Sequence, residues 1–132
     1  MLFNGIKKLR KRRGIDENNL SLCLKSSFSF RTRIIGIGLR RVFMPGLKLR
    51  GLSFRRQVAI PIEYKGIRLD CAYAADLIVN DEVILELKAV EKILAIHEAQ
   101  LLTYMKLLRT KKGLLINFNT AVLKHGIRRR VL

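Results

Sequence analysis

Three charged side chains stand in or beside the most apolar part of the chain. Glu86 and Lys88 interrupt the apolar run Val83 to Val90, and Asp76 lies ten residues before Glu86. Charges in such a run are costly unless they are paired or coordinated. Residues two apart in a strand project from the same face, so Glu86 and Lys88 are expected to share one side while the intervening leucines take the other. The two opposite charges should therefore point together into a mostly dry place.

These residue types suit metal-assisted hydrolysis. Mg²⁺ takes one or two carboxylate ligands and keeps its other positions for water and phosphate. A lysine beside the ion can stabilise charge on a phosphate, or hold or deprotonate an attacking water. The pattern Asp…Glu-x-Lys has the groups that phosphodiester hydrolysis needs, but alone it is weakly specific.

A meander of three antiparallel strands is expected to position these groups. Alternating apolar residues predict the strands, and short turns at Lys65-Gly66 and Asn80-Asp81 separate them. Pro61 lacks a backbone N–H, which places the first strand at an edge. The strands are predicted over residues 58–64, 67–79 and 82–90.

A helix over residues 94–109 follows, and Lys111-Lys112-Gly113 supplies the cations and glycine typical of a helix end. The next strand, over 114–119, is predicted to be buried on both faces and joined by a parallel crossover. A short edge strand is predicted over 127–132. The apolar stripe of the helix consists of Leu94, Leu101, Leu102, Met105 and Leu108.

The turn between Asp76 and Glu86 decides whether the two carboxylates can share an ion. If the turn contains two residues, Asp76 faces Leu85 and lies on the wrong side for Glu86. A common site requires one extra residue in the connection or a β-bulge, and we predict such an irregularity. Asp70 stays open, because the neighbouring hairpin could bring it near the same face.

The predicted helix carries polar residues on one face. Gln100 and Tyr104 are spaced i to i+4, and His97 lies one turn earlier. They flank the apolar stripe, so their polar ends can reach the sheet face that carries Glu86 and Lys88. There they could orient water or contact a phosphate. The alternative is that Tyr104 is an interface aromatic and Gln100 a satisfied polar edge residue.

The chain is strongly basic. Lys and Arg outnumber Asp and Glu 27 to 10 over 132 residues, and residues 1–57 hold fifteen basic and two acidic side chains. Such a surface attracts nucleic acid by counterion release; a solvated basic surface or a ribosome-type structural role is the alternative. The length suits one domain. We predict a poorly ordered tail over 1–33 and a domain over 34–132, with its best-supported core over 54–132.

The compartment follows from cysteine usage and hydropathy. Cys23 and Cys71 lie far apart without metal-ligand spacing, which argues against a disulfide framework or structural zinc. No apolar stretch reaches the roughly 18 residues of a membrane span, and the basic start lacks the apolar segment of a signal peptide. A cytoplasmic protein without a membrane span is expected.

Several segments occur in an order that is specific as a set. They are Gln57–Gly66, Asp76, Glu86–Glu91, His97–Tyr104 and Gly113–Asn119. With them, the part from Arg55 to about Val131 resembles the GxxExxY proteins, a family of small bacterial proteins in the PD-(D/E)xK nuclease-like superfamily. The resemblance implies an α/β fold with a small mixed sheet.

The same resemblance implies roles for individual residues. Asp76, Glu86 and the backbone carbonyl of Leu87 would be ligands of Mg²⁺ or Mn²⁺. Lys88 would be the catalytic lysine, and Gln100 with Tyr104 would support it. The expected partner is nucleic acid, in particular DNA.

One departure from the family concerns its name-giving helix, Gly-x-x-Glu-x-x-Tyr. In the family this helix separates a Pro-Gly-Leu element from a Leu-Arg-Gly-Leu element, whereas here Pro45-Gly46-Leu47 is followed at once by Lys48 and Leu49–Leu52. An acidic residue of that helix helps to bind metal in related nucleases. The N-terminal part is therefore expected to be incomplete, and Met44-Pro45-Gly46 predicts a turn or helix boundary.

Three hypotheses remain at this stage. The first is a metal-dependent deoxyribonuclease whose basic front grips the DNA backbone. The second is a catalytically inactive nucleic-acid-binding or interaction protein that keeps the nuclease-like core. The third is a truncated or rearranged gene product.

Overall fold

The computed structural model describes residues 37–69, 73–121 and 123–132. The predicted tail over 1–33 lies outside these residues, as do Cys23, Asp70 and Cys71. Helix α1 covers Ile37–Leu49 and helix α2 covers Ala95–Leu107. The strands are β1 (Phe54–Ala59), β2 (Ile62–Tyr64), β3 (Ile67–Leu69), β4 (Ala74–Val79), β5 (Val83–Lys88), β6 (Lys112–Asn117) and β7 (Ile127–Val131), and a 3₁₀ turn at Leu123–Gly126 precedes β7.

Five strands form one mixed sheet in the order β1-β4-β5-β6-β7, and β2 with β3 forms a separate ribbon. Neighbouring strands are antiparallel except β5 and β6, which are parallel and joined through α2. The predicted meander, the parallel crossover, the edge position of the strand before Pro61 and the short C-terminal edge strand are therefore confirmed. No helix among the described residues is both long and apolar enough to cross a bilayer.

The first two predicted strands are each divided, which the sequence reasoning did not foresee. Ala59 pairs with Ala74, and Ile62 pairs with Leu69. Between these two pairs the chain has two residues on the first side and four on the second. Pro61 lies in this mismatch, where its missing N–H costs no ladder bond. The result is that β2 and β3 pair only with each other, in a ribbon separate from the main sheet.

The sheet is covered by one helix on each face. Helix α1 packs Phe43 and Leu47 onto the face formed by alternate residues of β4, β5 and β6, such as Leu85. Helix α2 packs Leu101 and Met105 onto the other face. All these side chains are fully buried, and each contributes about 1.5–3 kcal/mol of hydrophobic free energy.

The prediction of a helix boundary at Pro45-Gly46 is wrong, because α1 runs through both residues. Burial of Phe43 and Leu47 outweighs the single backbone hydrogen bond that Pro45 cannot make. The helix ends at Leu49 instead, and Gly51 just beyond it adopts a left-handed φ of 69°. There the N–H of Leu52 bonds the carbonyl of Leu47 at 3.0 Å and that of Gly51 bonds Lys48 at 2.9 Å, the paired bonds of a glycine C-cap.

The predicted stripe of α2 is confirmed in its centre and wrong at its start. Leu101 and Met105 are buried, and Leu102 and Leu108 pack at the edge of the cluster. Leu94 is 53% exposed, because it precedes the first helical residue and its N–H donates to Nδ1 of His97 at 3.1 Å. The His97 ring therefore caps the start of the helix.

Candidate active site

The connection between β4 and β5 contains three residues. Val79 pairs with Val83, and both Asn80 and Asp81 adopt left-handed φ values, 50° and 56°. Asn and Asp tolerate this conformation better than other non-glycine residues. The extra residue shifts the register by one and brings Asp76 opposite Glu86. The predicted irregularity between the two carboxylates is thus confirmed.

Asp76 and Glu86, here called the carboxylate pair, tie β4 and β5 together. Beyond Leu77 and Leu85 the regular pairing stops, and two bonds between side chain and backbone replace it. The N–H of Leu87 donates to Oδ2 of Asp76 at 2.9 Å, and the N–H of Asp76 donates to Oε1 of Glu86 at 3.1 Å. Each carboxylate is therefore held by the opposite strand.

Burial distinguishes Glu86 from every other charged side chain that the structure describes. It is 2% exposed, and among residues 43–69, 73–121 and 125–132 only it and Asn117 are buried polar side chains. Leu85 and Leu87 point to the α1 face. The prediction that Glu86 projects to the opposite face from its neighbouring leucines is confirmed, and a carboxylate held there is costly without a compensating cation or donor.

Lys88, Gln100 and Tyr104, here called the lysine chain, continue the site onto α2. The Lys88 ammonium donates to Oε1 of Gln100 at 3.0 Å, and Nε2 of Gln100 donates to the Tyr104 hydroxyl at 2.7 Å. Tyr104 is 4% exposed and its ring packs in the α2 layer. The structure thus brings Gln100 and Tyr104 to the sheet face, and Tyr104 is an interface aromatic as well.

Gln57 is a residue whose place in the site the sequence did not indicate. Its Nε2 lies 3.3 Å from Oδ1 of Asp76. Its φ is 47°, and the otherwise continuous β1–β4 pairing lacks a bridge between Gln57 and Asp76. A left-handed glutamine in a strand is uncommon, and such residues concentrate at functional sites. No sequence signal marks it, since a glutamine in an exposed strand reads as ordinary.

We expect glycine to be tolerated at position 57 but not at the preceding position. Left-handed φ costs a non-glycine residue about 1–2 kcal/mol, whereas glycine in a regular strand costs about 0.5–1 kcal/mol. Gln57→Gly should therefore leave the free energy of unfolding unchanged or slightly higher, and Arg56→Gly should lower it. Urea titration followed by circular dichroism measures both. Equal losses at the two positions would show that Gln57 is unstrained.

Asn117 is a second residue that sequence reasoning passed over. It is 3% exposed. Its Oδ1 accepts the Val90 N–H at 3.0 Å and its Nδ2 donates to the Val90 carbonyl at 2.8 Å. The N–H of Phe118 also bonds the Lys88 carbonyl at 2.8 Å. Asn117 thereby fixes the backbone two residues after Lys88. The sequence signal that could have identified it is a single amide at the end of the otherwise apolar strand β6.

The donor set at the carboxylate pair fits a hard divalent cation. Among the described residues no three His, Cys, Asp or Glu side chains lie together, so an ion here would be held by two carboxylates and complete its shell with backbone carbonyl or water. That is the way Mg²⁺ is usually bound. The Leu87 peptide is held against Asp76 by its N–H, and its carbonyl as a ligand stays a prediction.

Comparison with known proteins identifies the family of the chain. No curated protein and no solved structure matches the chain. A family model of the PD-(D/E)XK nuclease superfamily matches residues 39–130. The match begins within α1, ends within β7, and includes the carboxylate pair and the lysine chain. It covers well over half of the chain, which therefore belongs to the PD-(D/E)XK nuclease superfamily.

Proposed function

We propose that the protein hydrolyses phosphodiester bonds in DNA with Mg²⁺ or Mn²⁺ held by Asp76 and Glu86. The observation that carries the proposal is the carboxylate pair. Its two acidic groups accept backbone N–H bonds across adjacent strands, Glu86 from Asp76 and Asp76 from Leu87, and they lie on the sheet face that receives Lys88. When bound, the ion would supply charge stabilisation on the phosphate and a more acidic water.

Lys88 would act beside the ion on the attacking water or on the phosphate. Its ammonium is directed by Gln100, which is in turn held by the buried Tyr104 hydroxyl. Fixing the amine in this way limits its rotamers and aims its charge at the face that the phosphate must approach. Gln57, bonded to Asp76, would orient that carboxylate from the other side.

The net charge of the chain, +17, supports a polyanionic substrate. Exposed cations of the described residues include Arg56 on the edge strand β1, Lys65 and Arg68 on the β2–β3 ribbon, and Arg128 on the edge strand β7. They would contact phosphates without reading sequence. Association with DNA should therefore weaken steeply as the salt concentration rises.

A nucleic-acid-binding protein without turnover is the second candidate, and one observation favours it. Helix α1 contains no acidic residue, and the acidic helix that the resemblance to GxxExxY proteins implies after Pro45-Gly46-Leu47 is missing. Among the described residues, only the two carboxylates of the pair would then be side-chain ligands of the metal. Salt-sensitive DNA binding without cleavage would support this candidate.

Cleavage of a supercoiled plasmid tests the proposal. We expect nicking with Mg²⁺ or Mn²⁺ and none with EDTA. Glu86→Gln should abolish nicking, because it keeps an oxygen for the Asp76 N–H but removes the charge that holds the ion. Glu82→Gln, an exposed acid in the preceding turn, is the matched control and should cut normally. Equal cutting by wild type and Glu86→Gln, or cutting in EDTA, would contradict the proposal.

Metal binding can be measured independently of cleavage. Titration of Mn²⁺ followed by electron paramagnetic resonance should show a site that Glu86→Gln and Asp76→Asn each weaken by at least about tenfold. Glu82→Gln should bind Mn²⁺ as wild type does. If both carboxylate variants bound Mn²⁺ with wild-type affinity, the ion would not be held by Asp76 and Glu86.

A further inference from the structure

Tyr73 is an exposed aromatic side chain at the edge of the candidate site. It lies just before β4 and three residues before Asp76. Its carbonyl accepts the Ile60 N–H at 2.9 Å, which anchors its backbone. Its side chain is nevertheless 54% exposed. A tyrosine held firmly by its backbone yet half open to solvent is preorganised to contact a ligand.

The ring of Tyr73 adjoins the lysine chain. Its centroid lies 6.3 Å from that of Tyr104, at an interplanar angle of 58°. The Tyr104 hydroxyl is bonded to Gln100, and Gln100 to the Lys88 ammonium. Tyr104 therefore contacts Tyr73 with its ring and Gln100 with its hydroxyl. Tyr73 is thus connected, through Tyr104 and Gln100, to the lysine that the proposed function places beside the phosphate.

The β2–β3 ribbon, which precedes Tyr73 in the chain, carries exposed cations. In the ribbon Arg68 pairs across from Glu63, and the Lys65 ammonium lies 5.3 Å from the centre of the Tyr64 ring. Both cations are exposed. Exposed cations together with an exposed ring are the combination that binds single-stranded nucleic acid, because the cations attract the backbone and the ring stacks on a base.

We infer that Tyr73 is a stacking platform for an unpaired nucleobase next to the cleaved bond, so that the preferred substrate is DNA with single-stranded nucleotides at that point. The inference rests on the proposed function for the identity of the ligand. A base can stack on a protein ring only when its face is free, so a fully paired duplex cannot use Tyr73 in this way. The remaining contacts to phosphates would serve both kinds of DNA equally.

Binding of fluorescein-labelled oligonucleotides in EDTA, followed by anisotropy, tests this without hydrolysis. Stacking contributes about 1–3 kcal/mol per base, which corresponds to a loss of about 5- to 150-fold. We expect Tyr73→Ala to weaken binding of a single strand by that factor and to leave binding of a blunt duplex nearly unchanged. Tyr73→Phe, the matched control, keeps the ring and should bind the single strand as wild type does.

Intrinsic fluorescence gives a second readout. The chain contains three tyrosines and no tryptophan, so stacking on Tyr73 should quench a measurable share of the emission when an unlabelled single strand is added. In Tyr73→Phe the affinity should persist while that part of the quenching is lost. A merely structural role of Tyr73 would not separate the two signals. Thermal unfolding of each variant verifies that the fold is intact.

Three results would overturn the inference. They are wild-type protein that does not bind single strands, equal weakening for single strand and duplex in Tyr73→Ala, and a Tyr73→Phe variant as defective as Tyr73→Ala. The outcome is separable from that of the proposed function, because no metal and no cleavage enter the assay. If binding depended on Tyr73 but Glu86→Gln still cut the plasmid at the wild-type rate, the proposed hydrolysis at the carboxylate pair would be rejected and the stacking inference would stand.

Discussion

Replacing Lys88 with alanine is expected to reduce the rate of plasmid cleavage by about 10²–10⁴-fold, the range for a group that assists proton transfer or charge development. Removal of the side chain deletes the amine that Gln100 holds at 3.0 Å but leaves the carboxylate pair in place. Binding of Mn²⁺ should therefore persist. The effect should appear in the turnover rate rather than in the affinity for DNA.

Matched variants separate this role from that of a general surface charge. Lys92→Ala removes an exposed lysine four residues further on and should cut at the wild-type rate. Lys88→Arg should not restore activity, since a planar guanidinium is bulkier and does not release a proton near neutral pH. If Lys88→Ala cut as fast as wild type, the amine would have no part in the chemistry.

The link between Lys88 and Gln100 can be measured in the same assay. Gln100→Ala should slow cleavage less than Lys88→Ala does, because the amine remains although its direction is lost. In the double variant the losses should not add, as expected of residues that act as one unit. Additive losses would show that Gln100 acts separately from the lysine.

Replacing Asn117 with alanine is expected to lower the free energy of unfolding by about 2–3 kcal/mol. The side chain is 3% exposed and makes two bonds to Val90 and one to the N–H of Asn119. Alanine would leave these backbone groups without their partner in a confined space. Urea unfolding followed by circular dichroism gives the value.

Two further variants define which bonds matter. Asn117→Asp retains an acceptor for both N–H groups. Its ionised carboxyl cannot donate to the Val90 carbonyl, whereas the neutral carboxyl can, so the loss should be smaller at acidic pH than at neutral pH. Asn119→Ala truncates an exposed side chain and should change stability little. A loss of less than about 0.5 kcal/mol in Asn117→Ala, the size typical of surface changes, would contradict the role assigned to it.

Much of the central sheet could be predicted because local rules suffice there. The two-residue period of a strand separated Glu86 from Leu85 and Leu87, and the structure confirms that split. Counting residues through the hairpin showed that a regular two-residue turn would separate Asp76 from Glu86. The site hypothesis therefore predicted either an extra residue in the connection or a β-bulge, and the structure has the extra residue.

Features decided by distant packing could not be read in this way. Pro45 and Gly46 favour a boundary locally, yet the fit of Phe43 and Leu47 on the sheet keeps them helical. Leu94 belongs to the helical period but lies one residue outside the helix. The left-handed backbone of Gln57 arises where the β1–β4 bridge is interrupted, and a sequence pattern contains no record of such a distortion.

The parallel pairing of β5 with β6 has a consequence for how the molecule comes together. Val83 pairs with Lys112 and Lys88 with Asn117, so these partners meet only after the intervening helix has folded back across the sheet. Contacts between such remote parts of a chain form slowly, because loop closure must precede them. The hairpin carrying Asp76 and Glu86 can assemble early from neighbouring residues, whereas the arrangement around Lys88 waits for the crossover. In a nascent or partly folded chain, Asp76 and Glu86 would accordingly come into register before Lys88 could be oriented by Gln100.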